Sequence, residues 1–260
     1  MAKPILAFVH INKTAGTTFQ FILKNSFVLG HCAFGNVKNV EIAREKHLKL
    51  VKKFFPNLKC IAGHRIVEPT TNLGKNILPF TIIREPIARC ASHYAGAFRE
   101  GRTNLSFKEW IENPGMQNRQ VRMIAGEPDL KKAVKLLKEK YFFVGLFEKF
   151  NESVQIFQAL SPFEITPAYQ SKNVREKNAL KDELLGDEEN MKLLKKYNAL
   201  DIKLYKTVEK DIYPELLEKA RPKFVNLTPP KEIRMPFKVW LTNVYNQIIF
   251  RRLSRLFIKD

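Results

Sequence analysis

The sequence contains few cysteines, and their positions exclude two kinds of site. Among 260 residues there are three, Cys32, Cys60 and Cys90, and no two of them have Cys-x-x-Cys spacing. An odd number of scattered cysteines does not form a disulfide framework, and this spacing does not suit a structural zinc site. We interpret all three as reduced thiols in the core of a cytosolic protein.

Acidic residues are also scarce. The chain has 26 Asp and Glu against 45 Lys and Arg, which gives a formal net charge of +19. A surface with this excess attracts anions. The composition leaves an acidic polysaccharide, an anionic membrane and nucleic acid open as partners, as well as a role in solubility alone.

Long hydrophobic runs, repeats and low-complexity tracts are absent. The apolar run near the N-terminus, Ile5–Val9, is too short for a signal peptide or a membrane anchor, so we expect a cytoplasmic protein. A chain of this length can bury one sizeable core. We expect one α/β domain at 1–220, followed at 221–260 by a proline-containing connector and a basic amphipathic helix.

The segment that follows Ile5–Val9 is the first informative motif. The run itself predicts a buried strand, and apolar residues at helical spacing over 19–27 predict a helix. The loop between them contains Lys13, Gly16 and three threonines. Such a connection holds a phosphate, because backbone N–H groups and the positive end of the helix point at the anion and a lysine neutralises it. The lysine precedes the glycine, so the order differs from the Walker A motif.

A second motif follows another short apolar run. Residues 80–83 predict a strand that ends at Arg84. Pro86 suits the first turn of a helix, predicted over 86–99, because the N–H that proline lacks has no partner there. Ser92 lies about two turns along this helix, so its hydroxyl and the Arg84 guanidinium could share one anion. Two anion sites at strand ends indicate a ligand with phosphate at both ends.

Together, and in this order, the two motifs resemble those of sulfotransferases that use 3′-phosphoadenosine-5′-phosphosulfate (PAPS). His10-Ile-Asn-Lys-Thr-Ala-Gly-Thr-Thr18 is similar to their 5′-phosphosulfate loop, and 81–94 is similar to their 3′-phosphate motif. The closer resemblance is to the branch containing heparan sulfate 2-O-sulfotransferase and its bacterial relatives. Further segments that fit this branch lie at 62–65, 118–126, 143–150 and 199–205.

The resemblance implies a sulfotransferase fold, which is a P-loop-like parallel β-sheet flanked by helices, here with a helical C-terminal extension. It implies PAPS as the sulfuryl donor, no metal, and a carbohydrate or glycolipid hydroxyl as the acceptor. The implied catalytic residues are Lys13, at the leaving phosphate, and His64, as the base. The implied donor-binding residues are Lys13, Thr14, Ala15, Gly16, Thr17, Thr18, Arg84, Ser92 and Arg175.

Other polar residues in these segments have weaker assignments. Arg65, Asn118 and Arg122 are candidates for contact with the acceptor, whereas we interpret His10 and His93 as structural. In two places the sequence departs from the family pattern: Asn12 stands where proline is usual, and Glu85 where aspartate is usual.

The remaining chain predicts several further elements. We expect a helix over 40–54, a strand over 58–62 and a helix capped by Asn151. Ser106 and Glu109 have capping-box spacing, which predicts a helix over Phe107–Glu112.

An amphipathic pattern closes the sequence. Its basic residues, Arg251, Arg252, Arg255 and Lys259, follow the apolar ones. This helix could pack on the domain, form a homodimer contact, or lie on an anionic membrane at its inner face, and it is too polar to span a bilayer. The apolar residues predicted to share one face are Phe237, Trp240, Leu241, Val244, Tyr245, Ile248, Leu253, Leu256 and Phe257.

Two other classes of function compete with sulfuryl transfer. A different nucleotide-dependent transferase, such as a P-loop kinase, is disfavoured because the chain lacks the Gly-Lys-Ser/Thr triplet and a magnesium-binding aspartate after a strand. A non-catalytic basic module that binds a polyanion is also disfavoured. Its lysines are scattered along the chain, without a recognition helix or an aromatic stacking motif, so nucleic acid is the weakest candidate partner.

Overall fold

A five-stranded parallel sheet forms the centre of the molecule. The computed structural model describes residues 4–34, 40–170 and 179–257. The sheet order is β2-β3-β1-β4-β5, and helices flank the sheet, which confirms the predicted α/β class. Its strands are β1 (Ile5–Val9), β2 (His31–Ala33), β3 (Cys60–Gly63), β4 (Ile77–Ile83) and β5 (Phe143–Leu146).

The strand order reverses around β1. From β1 the chain continues to β2 and β3 on one side and then to β4 on the other. The register pairs Val9, the last residue of β1, with Gly63 of β3 and with Thr81 of β4. The loops after these three strands therefore meet at one edge of the sheet. In open parallel sheets, ligands bind outside the carboxyl ends of the strands at such a reversal.

The helices follow in chain order. They are α1 (Gly16–Phe27), α2 (Glu45–Phe54), α3 (Pro69–Asn72), α4 (Pro86–Arg99), α5 (Phe107–Glu112), α6 (Arg119–Ala125), α7 (Leu130–Glu139), α8 (Phe150–Leu160), α9 (Ala179–Gly186), α10 (Glu188–Tyr197), α11 (Ala199–Thr207), α12 (Tyr213–Ala220), α13 (Phe237–Val244) and α14 (Arg251–Phe257). The π-helical turns Val208–Ile212 and Tyr245–Phe250 join α11 to α12 and α13 to α14. Two short strands, β6 (Ala168–Tyr169) and β7 (Lys231–Glu232), pair separately.

A cluster of phenylalanine rings fixes β1 against α1. The ring centroids of Phe8, on β1, and Phe19, on α1, lie 5.4 Å apart. Phe80 lies 5.0 Å from Phe8, and Phe157 lies 5.0 Å from Phe19. All four side chains are fully buried. Aromatic pairs at this separation contribute about 0.5–1.5 kcal/mol beyond their burial. Because the cluster holds both β1 and α1, it also fixes the ends of the loop that connects them.

Several predicted elements have the expected positions. Helix α4 spans Pro86–Arg99, as predicted. The capping box is confirmed: Ser106 Oγ accepts a hydrogen bond from the Glu109 N–H, and Glu109 Oε2 accepts one from the Ser106 N–H. The strand predicted over 58–62 is β3, which begins two residues later, at Cys60.

Two helix starts differ from the prediction. The helix predicted over 40–54 begins at Glu45, because Arg44 has extended backbone and its N–H donates to His47 Nδ1. The prediction that Asn151 caps a helix is wrong, since α8 begins at Phe150. The Asn151 side chain instead accepts a hydrogen bond from the Tyr169 hydroxyl.

The C-terminal helices pack on the domain through a face other than the apolar one identified in the sequence. The cause is Asn246, whose side chain accepts from the Ala33 N–H at 2.7 Å and donates to the His31 carbonyl at 3.0 Å. These backbone groups belong to β2, an edge strand, which otherwise leaves them unpaired. None of the described helices has the length and apolar character needed to cross a membrane. The buried residues of the segment are Val239, Thr242, Asn246, Phe250 and Ser254.

Candidate active site

The loop between β1 and α1 has strained backbone. Lys13 and Ala15 both have positive φ angles, 67° and 61°. The left-handed region costs a residue other than glycine about 1–2 kcal/mol, and such strain is concentrated at functional sites. Thr14, between Lys13 and Ala15, does not have a positive φ angle. When left-handed and right-handed residues alternate in this way, neighbouring N–H groups turn to one side and form a concavity that suits an anion. The buried Thr14 hydroxyl donates to the Ile11 carbonyl at 3.0 Å, so it closes the loop from inside.

Helix α1 begins at the end of this loop with its first turn free of other anions. Ala15 at the N-cap position offers no side-chain cap, and the first turn contains no acidic residue. The first N–H groups of a helix have no partner within it and carry partial positive charge. Thr17 is exposed and Thr18 is half-buried in the same turn. The arrangement suits a phosphate or sulfate group.

The Lys13 side chain lies against α4, the helix of the second motif. A Cβ atom on Gly96 would be 3.0 Å from Lys13 Nζ, so the glycine leaves room for the ammonium group. Ser92 lies one turn earlier on the same face of α4. Desolvation lowers the pKa of Lys13, with Glu100 opposing this effect and Arg99 and Arg102 adding to it. An ammonium group surrounded by arginines gains from a bound anion.

Arg84 connects the two motifs directly. Its Nη1 atom donates to the Lys13 carbonyl at 3.1 Å, so the end of β4 is fastened to the loop after β1. The guanidinium carbon lies 4.1 Å from the centroid of the Phe147 ring, which holds the group by a cation–π contact. Arg84 Nε is buried and has no hydrogen-bond partner in the protein. The protein therefore supplies no acceptor for this N–H group of Arg84.

His64 is held in the tautomer that a general base requires. Its Nδ1 atom lies 2.6 Å from the His10 carbonyl oxygen. Because a carbonyl only accepts, Nδ1 carries the proton, and the lone pair of Nε2 is available. Desolvation lowers the pKa of His64; the hydrogen bond to His10 opposes this effect, whereas Arg119 and Arg102 lower the pKa further. The imidazole is neutral at neutral pH.

His10 lies between the loop and His64. The two imidazole rings stack with centroids 4.0 Å apart, and Gln20 Nε2 lies 2.8 Å from His10 Nδ1. A Cβ atom on Gly16 would overlap the His10 ring. Burial lowers the pKa of His10 well below its usual value, and His64 adds to the effect. The structural role predicted for His10 thus includes contact with both the anion loop and the candidate base.

Several cations lie near His93 on α4, and one of them is fully buried. Arg89 is fully buried, and none of its three guanidinium nitrogens has a hydrogen-bond partner in the protein. Burial is the main cause that lowers the pKa of His93 to about 3. Smaller contributions in the same direction come from Arg89, Arg119, Arg102 and Lys13. Arg89 and Arg119 are not among the site residues predicted from the sequence, although they lie within the family-like segments 81–94 and 118–126.

A buried polar network supports Arg84. Gln120 exchanges two hydrogen bonds of 2.9 Å with the Arg84 backbone. The Asp201 carboxylate accepts from the N–H groups of Gln120 and Val121, which fixes the start of α6. Asn118 Oδ1 accepts hydrogen bonds from the N–H groups of Leu200 and Asp201. The side-chain oxygen of this residue, which is predicted from the sequence to contact the acceptor substrate, is therefore occupied within the protein. Asn118 and Gln120 come from one family-like segment and Asp201 from another, and together they position the end of β4.

The other predicted residues have varied surroundings. Arg122 Nε donates to the Gln117 carbonyl at 3.2 Å, and half-buried Arg65 follows His64 directly. Arg175 lies outside the described residues. The Glu85 carboxylate caps α4 by accepting from two backbone N–H groups, which explains an acidic residue there. In the part of the chain that the structure describes, no group of three or more His, Cys, Asp or Glu side chains could hold a metal ion.

The geometry defines an α/β protein with a candidate anion site at the reversal of a parallel sheet and a histidine with a lowered pKa beside it. The chain belongs to the sulfotransferase family, whose sequence model matches residues 3–207. Membership assigns it to the transferases that move sulfuryl groups. No curated protein matches the chain significantly. A solved sulfotransferase from Alicyclobacillus acidocaldarius has 14% identity and a TM-score of 0.39, and the match covers 76% of this chain and 97% of that one.

Proposed function

We propose that this protein transfers a sulfuryl group from PAPS to a hydroxyl acceptor. One observation carries the proposal: Arg84 donates to the Lys13 carbonyl, which brings the 5′-phosphosulfate-like loop and the 3′-phosphate-like motif into one site. PAPS carries anionic groups at both ends of its nucleotide. The unpartnered Arg84 Nε, the uncapped α1 N-terminus and the strained loop backbone fit such a donor.

The site residues divide the binding work between the two ends of the donor. Lys13, with the backbone from Thr14 to Thr18, would hold the 5′-phosphosulfate, and Arg84 with Ser92 would hold the 3′-phosphate. Arg175 stays a predicted donor contact. PAPS, when bound, supplies the sulfuryl group and leaves as 3′,5′-adenosine bisphosphate. Lys13 stabilises the negative charge that develops on the departing phosphate oxygen.

His64 acts on the acceptor. Its neutral imidazole takes the proton of the acceptor hydroxyl on Nε2, while the hydrogen bond from Nδ1 to His10 stabilises the imidazolium that forms. Arg119 and Arg102 disfavour that charged form, so they keep His64 neutral before the reaction and favour loss of the proton to water afterwards. The role of His64 therefore depends on a fixed tautomer and on a lowered pKa.

The acceptor that fits the resemblance is a carbohydrate or glycolipid hydroxyl. We infer the branch of heparan sulfate 2-O-sulfotransferase and its bacterial relatives from the segments quoted above. Arg65 and Arg122 are the predicted acceptor contacts that best suit an acidic sugar, because each carries a cation at this edge of the sheet. Asn118 has only its amide N–H₂ group left for this purpose.

Calorimetry with 3′,5′-adenosine bisphosphate tests the donor site. We expect tight binding that is lost in Lys13→Ala and Arg84→Ala, and much weaker binding of ATP without magnesium. Lys131→Ala, an exposed lysine on α7, is the matched control and should bind like the unmodified protein. Equal affinity for ATP, or bisphosphate binding that survives both site variants, would contradict the proposal.

A further inference from the structure

An exposed apolar stripe runs along the C-terminal helices. Phe237, Trp240 and Ile248 lie at helical spacing and are 73%, 49% and 49% exposed. The half-buried Leu241 and Val244 complete the row, and these five residues form what we call the C-terminal stripe. The rings of Phe237 and Trp240 stack with centroids 5.3 Å apart. Contiguous exposed apolar groups of this kind mark interaction surfaces in soluble domains.

The stripe is held outward by hydrogen bonds on the opposite side of the segment. Besides Asn246, the Tyr245 hydroxyl donates to the Phe54 carbonyl at 2.6 Å. Lys24 Nζ donates to Asn243 Oδ1 at 2.7 Å. Rotating the segment to bury Phe237 and Trp240 would break these contacts and expose the β2 backbone. The described part of the chain therefore leaves these apolar groups uncovered.

The charge around the stripe identifies the kind of partner. Arg251 and Arg252 are exposed and follow Ile248 by three and four residues, which places them at the end of the same face. Lys238 and Arg234 lie at its beginning, and the sequence contains no acidic residue from 233 to 254. A symmetric contact with a second copy would bring these cations together without a counter-charge, on chains that each carry +19.

We propose that the C-terminal stripe docks the protein on an anionic lipid surface. Tryptophan, phenylalanine and isoleucine enter the boundary between headgroups and acyl chains, while flanking arginines and lysines contact anionic headgroups. The surface includes none of the residues assigned to the donor or to the base. Docking can therefore be tested independently of sulfuryl transfer.

Vesicle sedimentation with the full chain tests the proposal. Phosphatidylcholine vesicles are compared with vesicles that also contain phosphatidylglycerol, and we expect binding only to the second kind. Arg251→Gln with Arg252→Gln should weaken it about 30-fold, since one basic residue at an anionic leaflet contributes about fivefold in affinity. Lys131→Gln with Lys135→Gln removes the same charge from exposed positions on α7 and should leave binding nearly unchanged.

The apolar part of the stripe has its own variants. Phe237→Gln with Trp240→Gln should abolish sedimentation, whereas Leu105→Gln, at an exposed apolar residue elsewhere, should not. All these side chains are exposed, so the variants should keep the melting temperature of the unmodified protein. Equal loss of vesicle binding in the α7 and stripe variants would overturn the proposal. It would also be overturned if the protein bound no vesicles and instead formed a dimer in solution that the stripe variants dissociate.

Tryptophan fluorescence gives an independent readout. The chain has two tryptophans, of which Trp110 is buried and Trp240 is about half exposed. We expect phosphatidylglycerol vesicles to shift the emission to shorter wavelength in the Trp110→Phe protein, where only Trp240 reports. An unchanged spectrum in the presence of these vesicles would show that Trp240 stays in water and would overturn the proposal.

Discussion

Among single residues, His64 has the most specific chemical state. The His10 carbonyl fixes its tautomer, and desolvation together with Arg119 and Arg102 keeps it neutral. His64→Ala should therefore lower kcat by about 10²–10⁴-fold, the usual range for a lost general base, while bisphosphate affinity stays unchanged. Activity of the unmodified protein should fall on the acid side as His64 is protonated, at a pH below the usual histidine value of about 6.5. Steady-state kinetics against pH, with calorimetry on the variant, check both expectations.

Gly96 is a second residue with a testable consequence. Glycine inside a helix costs about 1 kcal/mol relative to alanine. At this position the missing Cβ leaves space for Lys13 Nζ, the flexible end of a side chain. Gly96→Ala should raise the melting temperature by about 2–4 °C and lower kcat about tenfold, because the ammonium group is displaced. Calorimetric melting and kinetics measure the two effects.

The control for this variant is Gly186→Ala, since a Cβ there would meet no atom within 4 Å. It should leave kcat unchanged. An unaltered kcat in Gly96→Ala would show that the position of Lys13 does not depend on this contact.

The residues that a sequence could reveal are those whose motif is local. Lys13, Gly16 and Arg84 stand at the ends of apolar runs, where strand and helix patterns place them without knowledge of the fold. Gln120 and Asp201 carry no such signal. Their partners lie 36 and 80 residues away, and in the sequence a buried polar side chain looks the same as an exposed one.

At the scale of elements, the C-terminal helix shows what an amphipathic pattern leaves open. The apolar face with Trp240 and Ile248 could pack on the domain, on a second copy or on a membrane, and the pattern does not choose among these. Asn246 selects the other face, because its amide satisfies one N–H and one carbonyl of an edge strand. Pairing with a specific backbone therefore decided the orientation, and no local pattern records which strand is at the edge.

Removing that amide should destabilise the protein. Asn246→Ala leaves the Ala33 N–H and the His31 carbonyl without their partner, at a cost of about 1–3 kcal/mol in the free energy of unfolding. Urea denaturation measures the loss. Gln247→Ala, at the exposed neighbouring position, is the matched control and should change stability by less than about 0.5 kcal/mol. Equal effects of the two substitutions would show that the amide pairing does not hold the helix.

At the scale of the whole molecule, buried histidines couple stability to pH. Burial lowers the pKa of His31 and His93 to about 3, whereas an unfolded histidine has a pKa of about 6.5. Between these values the unfolded chain binds the additional protons, so stability rises with pH and falls on acidification. The stabilisation from the neutral histidines is fully present above about pH 6.5. Acidification from pH 7 to pH 5 should lower the free energy of unfolding by about 2 kcal/mol for each of the two histidines.

Asp201 works in the opposite direction but does not reverse this trend. Burial raises the pKa of its carboxyl, so the folded protein takes up that proton more readily than the unfolded chain and is favoured by acid. It is one group against two histidines, and His10 adds a third with a lowered pKa. Urea unfolding at a series of pH values should therefore show a net fall in stability below about pH 6.5.

The contribution of one histidine can be isolated. His31 is fully buried and neither ring nitrogen has a hydrogen-bond partner in the protein, so protonating it in the fold would leave a charge without compensation. His31→Leu should reduce the slope of the free energy of unfolding against pH between about pH 4 and pH 6. The reduction should correspond to about one fewer proton taken up on unfolding. In the unmodified protein, the NMR signal of the His31 ring should not titrate above about pH 4, since its pKa is about 3. A ring signal that titrates near pH 6.5, or an unchanged slope in the variant, would contradict this account of acid sensitivity.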